Sequence, residues 1–273
     1  MREGTRAVLV AATTVVVAAV LGPIWGGHTG STADDRPDGR GRATVSPSPP
    51  LYTSEQPPAD QKSVPDPHLP APVVSMDIAH ASDRGAHAVN ITIDDGPDPV
   101  WTPRVLKVLR DNGVKAVFCM IGPNAAMHPD VVRQIVADGH RLCDHSVHHD
   151  TAMDRKPASY QHGEVVDAER MIEHASGGVK PLYYRAPGGA FTPYSRQIAA
   201  SLGMRPLGWN IDTEDYRRPG VRTILSTVER ELRNGPTILF HDGGGDRSQT
   251  VAALAALLPR LKEQGYVFGF PVR

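Results

Sequence analysis

The chain has 273 residues, with 29 Lys+Arg against 30 Asp+Glu and 12 His. A net charge of −1 provides no basic excess for neutralising a phosphate backbone, so nucleic acid is not an expected partner. Two cysteines exclude both a disulfide-dense scaffold and a four-cysteine zinc site, which leaves His and carboxylate as the metal-binding side chains.

Residues 7–25 (AVLVAATTVVVAAVLGPIW) carry no charge and follow Arg2 and Arg6. This is close to the shortest run that crosses a bilayer as a helix. The basic N-terminal flank predicts that everything after the run lies outside the cell. Residues 1–26 therefore read as a signal peptide or a membrane anchor. The small residues Ser31-Thr32-Ala33 offer a cleavage site. Residues 27–72 hold 10 of the 25 prolines and show no hydrophobic period. Such a segment buries too little apolar surface to offset chain entropy, and it reads as an extended, disordered spacer. The expected location is extracytoplasmic, either secreted or held at the membrane by the N-terminal segment.

The folded domain is expected over residues 73–273. Strand-length apolar runs occur at Ala88–Ile93, Ala116–Ile121, His140–Cys143, Leu182–Tyr184, Arg205–Trp209, Thr237–Phe240 and Tyr266–Phe270. Helical spacing fills the stretches between most of them. Val105, Leu106, Val108 and Leu109 precede Gly113. Val131, Val132, Ile135 and Val136 precede Gly139. Tyr160–Ala175, Tyr194–Leu202, Ile224–Leu232 and Val251–Leu261 read the same way, the last three stopping just before Gly203, Gly235 and Gly265. Glycine is the usual helix stop because it enters the left-handed region without strain. Strand–helix alternation predicts an α/β fold with a parallel sheet and outer helices. Seven strands favour a barrel over an open sheet.

Reactive residues follow the strands. The runs lead into Asp94-Asp95-Gly96-Pro97, Asp144-His145-Ser146-Val147-His148-His149, Arg185-Ala186-Pro187-Gly188-Gly189, Asn210-Ile211-Asp212-Thr213-Glu214-Asp215-Tyr216 and His241-Asp242-Gly243. In a parallel barrel the C-terminal strand ends share one face, where active sites are built. His145 and His149, four residues apart, would share one side of a helical turn. With one carboxylate from the Asp94–Asp95 pair they would make a two-His, one-carboxylate metal set. The second Asp would face the water. His148 should point away. His241 follows a buried run and is aimed at the rim, where it can protonate a leaving group. Arg185 suits a carboxylate-holding role. The same ligand set also serves non-haem iron oxygenases, but those chains are not of alternating α/β type.

At these residues the sequence resembles the polysaccharide deacetylases, carbohydrate esterase family 4, with the NodB homology domain. Thr92-Ile93-Asp94-Asp95-Gly96-Pro97 is similar to the family's T-F-D-D-G-P motif, and His145-Ser146-Val147-His148-His149 to H-S/T-x-x-H. Arg185-Ala186-Pro187-Gly188-Gly189 resembles R-x-P-Y-G, Asp212-Thr213-Glu214-Asp215-Tyr216 resembles D-x-x-D-W, and Leu239-Phe240-His241 resembles L-x-H. All five occur in the family's order. The resemblance implies a distorted (β/α)7 barrel that removes acetyl groups from a glycan, peptidoglycan or a chitin-like polymer of N-acetylglucosamine. It implies Asp94 as general base, and Asp95, His145 and His149 as ligands of a divalent ion, typically Zn2+. His241 would be the general acid, paired with Asp215. Arg185 would orient Asp94, and Tyr216 and Leu239 would wall the acetyl pocket. The backbone N–H of Gly188 would face the oxyanion.

Three positions depart from the motifs: Ile93 for Phe, Gly188 for Tyr and Tyr216 for Trp. They bear on substrate choice more than on chemistry. O-deacetylation of xylan by the same mechanism, or a non-catalytic glycan-binding descendant of the fold, are the alternatives. Cys119 and Cys143 lie in successive strands, where they are either two buried thiols or, if the strands are neighbours in register, a disulfide.

Overall fold

The computed structural model describes residues 69–273. The apolar segment at residues 7–25, and the spacer up to residue 68, lie outside the described residues. Among the described residues no helix is long and apolar enough to cross a membrane.

Eight strands form one parallel sheet: β1 (Ala88–Asp94), β2 (Ala116–Met120), β3 (Arg141–Asp144), β4 (Tyr183–Tyr184), β5 (Arg205–Pro206), β6 (Ile211–Asp212), β7 (Thr237–His241) and β8 (Val267–Phe268). Their order is β5-β4-β3-β2-β1-β7-β6, and β8 pairs with the first two residues of β1. The crossovers carry α1 (Trp101–Asp111), α2 (Gly122–Met127), α3 (Pro129–Ala137), α4 (Ala158–Ser176), α5 (Pro193–Ser201), α6 (Val221–Glu231) and α7 (Ser248–Glu263). The curled parallel sheet with helices outside is the distorted barrel that the alternation predicted. α2 was not read from the sequence, because six residues are too few to show a helical period.

Of the fifth predicted strand, Arg205–Trp209, only Arg205–Pro206 is strand (β5), and a separate β6 follows at Ile211–Asp212. β5 pairs with β4 at one edge of the sheet, and β6 pairs with β7 at the other. The pairing with β4 ends where Leu207 N donates to the Tyr184 carbonyl at 2.8 Å. Backbone from before β1 fills the interval. Ala79 N donates to the Pro206 carbonyl at 2.8 Å, and Gly208 N donates to the Ala79 carbonyl at 3.0 Å. Residue 208 must be Gly, since a Cβ there would collide with the His80 ring.

The two-residue period of a strand then sorts the side chains. On β1, Val89, Ile91 and Ile93 join the apolar layer under the outer helices. Asn90, Thr92 and Asp94 therefore face the barrel interior. On β7, Ile238 and Phe240 enter the same outer layer, which leaves Thr237, Leu239 and His241 inside. Leu106 and Leu109 of α1, Val228 of α6, and Leu254 and Leu258 of α7 seal this layer. Inside, Val117, Cys119, Cys143, Tyr183 and Leu207 form a smaller apolar floor.

Cys119 and Cys143 are register partners on β2 and β3, both point inward, and they form a disulfide across a Cα–Cα distance of 4.1 Å. The bond closes a loop with a sequence separation of 24. Closing such a loop restricts the unfolded chain, an effect of about 2–4 kcal/mol. Replacing both cysteines by Ala should lower unfolding free energy in urea by about that amount. Alkylation of the denatured, unreduced protein should find no free thiol, and two reactive thiols would show that the bond is absent.

Candidate active site

Period-two alternation and strand register bring the predicted residues to one rim. Asp94 and His241 are register partners at the ends of β1 and β7. Arg185 follows β4 with its side chain turned inward, and it is fully buried. Its Nη1 donates to Asp94 Oδ1 at 2.6 Å and to Thr92 Oγ1 at 3.0 Å. Its Nε and Nη2 donate to the carbonyls of Leu207 and Gly208, at 3.2 and 3.0 Å. Asp94 Oδ1 is thereby occupied. Its Oδ2 faces the neighbouring histidine, 3.5 Å from His145 Nε2.

Asp95 adopts a left-handed backbone, with φ 76°. That turn sends its side chain away from Asp94 and towards the two histidines. Asp95 Oδ1 lies 3.5 Å from His145 Nε2 and 3.2 Å from His149 Nε2. Asp95, His145 and His149 each offer one ligand atom, and these atoms all lie within 4.8 Å of one another. The histidines come together by a route that the sequence reading did not expect. Residues 145–149 form a loop and not a helical turn. Ser146 (φ 66°) and His149 (φ 51°) are both left-handed, and these two bends return the second ring to the first. The rings meet edge to face, with centroids 4.9 Å apart. His148 points away as expected, and its Nδ1 bonds Glu164 at 2.5 Å.

The donor set fits a divalent cation on chemical grounds. His145 Nδ1 lies 2.7 Å from the Arg185 carbonyl, which can only accept, so this nitrogen carries the proton. Burial, against the pull of Asp94, lowers the His145 pKa to about 4, so the ring is neutral at pH 7. Its Nε2 therefore presents a lone pair to the oxygens of Asp94 and Asp95. Acceptors facing acceptors in a buried pocket repel unless a cation sits among them. Burial opposes ionisation of Asp95. The His149 hydrogen bond and the nearby imidazoles nevertheless hold it well below the usual carboxylate range. Burial disfavours a charged His149 too, and the bond and charge of Asp95 outweigh this to raise its pKa.

On the other side stands His241. Its Nδ1 lies 2.7 Å from Asp215 Oδ1, and its backbone N donates to Asp215 Oδ2 at 3.0 Å. Thr250 Oγ1 donates to the same Oδ2 at 2.6 Å, whereas Thr213 Oγ1, which donates to the Leu239 carbonyl at 2.8 Å, lies 3.2 Å from Oδ1. Burial would lower the His241 pKa, but the charge and hydrogen bond of Asp215 raise it to about 9. Asp215 itself is held below its usual value, because His241 and the Thr250 hydroxyl outweigh burial. Tyr216 meets the His241 ring edge to face at 5.0 Å. Leu239, two residues before His241 on β7, shares its inward face. Gly188 is exposed at the rim, in the left-handed region with φ 59°.

Three further groups were given no role by the sequence reading. Thr250 lies on α7, 35 residues from the Asp215 it supports, and carries no local signal. Glu164 is a buried acid on α4. Asp242 is buried beside Gly96, accepts from Thr102 Oγ1 at 2.6 Å, and leaves Oδ1 without a hydrogen-bond partner among the described residues. Burial, aided by the charges of Asp95 and Asp94, pushes its pKa up to about 7 despite the Thr102 bond.

The His241 pair makes a measurable prediction for the metal-free protein. Its folded pKa of about 9 lies above the ordinary value of 6.5. The protonated ring is thus favoured by the fold, and this stabilisation is complete below pH 6.5 and disappears as pH rises through about 9. NMR titration of the His241 ring should give a midpoint near 9, and Asp215→Asn should bring it down towards 6.5. A parent midpoint near the ordinary value would contradict the pairing.

A family model described as polysaccharide deacetylase matches residues 81–207. A peptidoglycan-N-acetylglucosamine deacetylase of Bacillus cereus is 38% identical over 182 residues, which cover 66% of this chain and 84% of that protein. A chitooligosaccharide deacetylase of Bradyrhizobium is 38% identical over 193 residues, 67% of this chain and 88% of that protein. Among solved structures, the Bc1960 peptidoglycan N-acetylglucosamine deacetylase superposes with a TM-score of 0.66 at 27% identity, over 71% of this chain and 90% of its own. Sequence likeness across most of these relatives' length, on the same barrel, makes the chain a member of the polysaccharide deacetylase family, carbohydrate esterase family 4.

Proposed function

We propose that the protein is a metal-dependent hydrolase that removes N-acetyl groups from N-acetylglucosamine residues of a cell-envelope glycan, peptidoglycan or a chitin-like polymer. One observation carries the reading: a single rim holds an arginine-bound carboxylate, an Asp/His/His cluster and an aspartate-bound imidazolium, in that order. The relatives whose names specify peptidoglycan and chitooligosaccharides support the substrate class. The uncharged run at residues 7–25 behind two arginines supports delivery outside the cytoplasm.

The residues divide the work by geometry. A divalent ion, Zn2+ by the ligand types, would be held by Asp95, His145 and His149, and would polarise the acetyl carbonyl and acidify a water molecule. Asp94 takes the proton from that water on Oδ2, because Arg185 occupies Oδ1. Arg185 also fixes the direction of the carboxylate, with no freedom to rotate towards bulk water. His241, charged at neutral pH, binds Asp215 through Nδ1 and leaves Nε2–H for the departing nitrogen. Protonation there is what lets an amide C–N bond break to give an amine. Tyr216 and Leu239 wall the acetyl methyl, and the Gly188 backbone N–H serves the carbonyl oxygen at the open rim.

Acetate release separates the substrates. N-Acetylglucosamine oligomers and peptidoglycan should release acetate, and acetylated xylan should release much less. Release from xylan alone would make the protein an ester hydrolase, and no release from any glycan would make it a binding module. A chelator should abolish turnover and Zn2+ should restore it. Asp94→Asn should lower kcat by about 100-fold or more, with zinc still bound at one ion per chain.

A further inference from the structure

We propose that Glu164 is a positioning residue that sets the geometry of the metal-binding loop from behind. The loop needs such support. Residues 145–149 belong to no helix or strand, yet they must present two imidazoles to one point. Ser146 and His149 hold left-handed backbones that L-residues disfavour. A strained loop keeps one shape only when its surroundings over-determine it.

Every amide N–H in the loop is held. His145 N donates to the Met120 carbonyl at 2.9 Å, which registers the loop against β2. Ser146 N donates to Asp144 Oδ1 at 2.7 Å, and His149 N donates to Ser146 Oγ at 3.2 Å. The middle two belong to Glu164: Oε2 accepts from Val147 N at 3.1 Å and from His148 N at 2.9 Å. Oε1 takes the His148 ring at 2.5 Å. One carboxyl group thus binds both residues that separate the left-handed bends. The side chain of Glu164 is 3% exposed, whereas that of His148 is 69% exposed. The anchor is therefore inside the protein, against the back of the loop, while Asp95 meets the imidazoles in front.

Glu164 lies in the second turn of the 19-residue α4, and its hydrogen bonds tie the loop to that helix. Loss of the carboxylate frees the Val147 and His148 amides and lets the 145–149 backbone relax out of its two left-handed turns. His145 remains tied to the Arg185 carbonyl. The change then falls on His149, which has the less protected position in the loop. Groups behind ligands commonly govern metal affinity tenfold to a hundredfold.

The inference rests on the proposed metal site, and the test separates the two. The full chain is stripped of metal, and Zn2+ affinity is measured by competition with a chromophoric chelator, with Co2+ absorption as a report of coordination geometry. Glu164→Leu, which removes the oxygen that accepts from both the Val147 and the His148 amides, should weaken Zn2+ binding by about tenfold to a hundredfold and alter the Co2+ spectrum. Glu164→Asp, which keeps the charge on a shorter stem, should recover part of the loss. His148→Ala should stay within about threefold of the parent, because both backbone bonds to Glu164 survive. A folded Glu164→Leu protein with parental affinity and spectrum would overturn the role of Glu164 alone, and so would a His148→Ala loss equal to that of Glu164→Leu. If Glu164→Leu does not fold, Glu164→Asp carries the test, and parental affinity there overturns the role. A parent chain that binds no Zn2+ would overturn the metal site and this inference together.

Discussion

The guanidinium of Arg185 is the interaction on which the rest of the site depends. It is wholly buried, and such a charge is tolerable only when its donors are met. Its partners come from two distant parts of the chain: Asp94 and Thr92 on β1, and the Leu207 and Gly208 carbonyls between β5 and β6. The last two matter for the fold. They are backbone acceptors at the place where the sheet breaks between its two edges, and Arg185 satisfies them there. One side chain thus completes the barrel wall and aims Asp94. Removing either partner would leave an uncompensated buried charge, a loss of about 3–5 kcal/mol.

Around that pair the rim is strongly acidic. Asp94, Asp95, Asp215 and Asp242 are close enough to influence one another or the same histidine. Several carboxylates in a small buried volume cannot all keep their charge unless cations offset it. Arg185 offsets Asp94, and protonated His241 offsets Asp215. Among the described residues Asp242 has no cationic partner of its own, and it responds by rising towards neutrality. Asp95 stays ionised among imidazoles, which is the state required of a metal ligand. The electrostatics of the rim therefore separate three roles for chemically identical side chains.

Both proton-handling groups are held by a neighbour that leaves only one atom available. Asp94 has Oδ1 bound and Oδ2 facing the metal cluster. His241 has Nδ1 bound, with Nε2 remaining. Asp215 in turn accepts from Thr250 and from the backbone and ring of His241, so its own orientation is fixed by three donors. Preorganisation of this kind means that little reorientation remains to be done when charge moves. Gly243 contributes in another way: a Cβ there would strike the Asp95 carbonyl, so glycine lets the loop after β7 lie against the loop after β1.

The sequence by itself determined the alternation of strands and helices and the polar clusters that follow the strands at the rim. It could do so because these depend on short-range quantities: a two-residue period, helix stops, and polar residues directly after apolar runs. The five ordered motifs added the family, since a set of local signals in fixed order is specific where one alone is not. The supports of the site were not legible. Thr250 and Glu164 look like ordinary helical residues until packing brings them to Asp215 and to the metal loop. The pairing of His145 with His149 was read correctly, but through the wrong conformation, because spacing alone does not distinguish a helical turn from a loop with two left-handed residues. The early end of the fifth strand was likewise invisible, as Ala79 and Arg185 reach residues 206–208 from distant segments. Only the tertiary structure decided the disulfide, since Cys119 and Cys143 can join only when β2 and β3 pair in that register. Contacts between remote segments are set by how the whole sheet closes, and no local pattern in the chain encodes that closure.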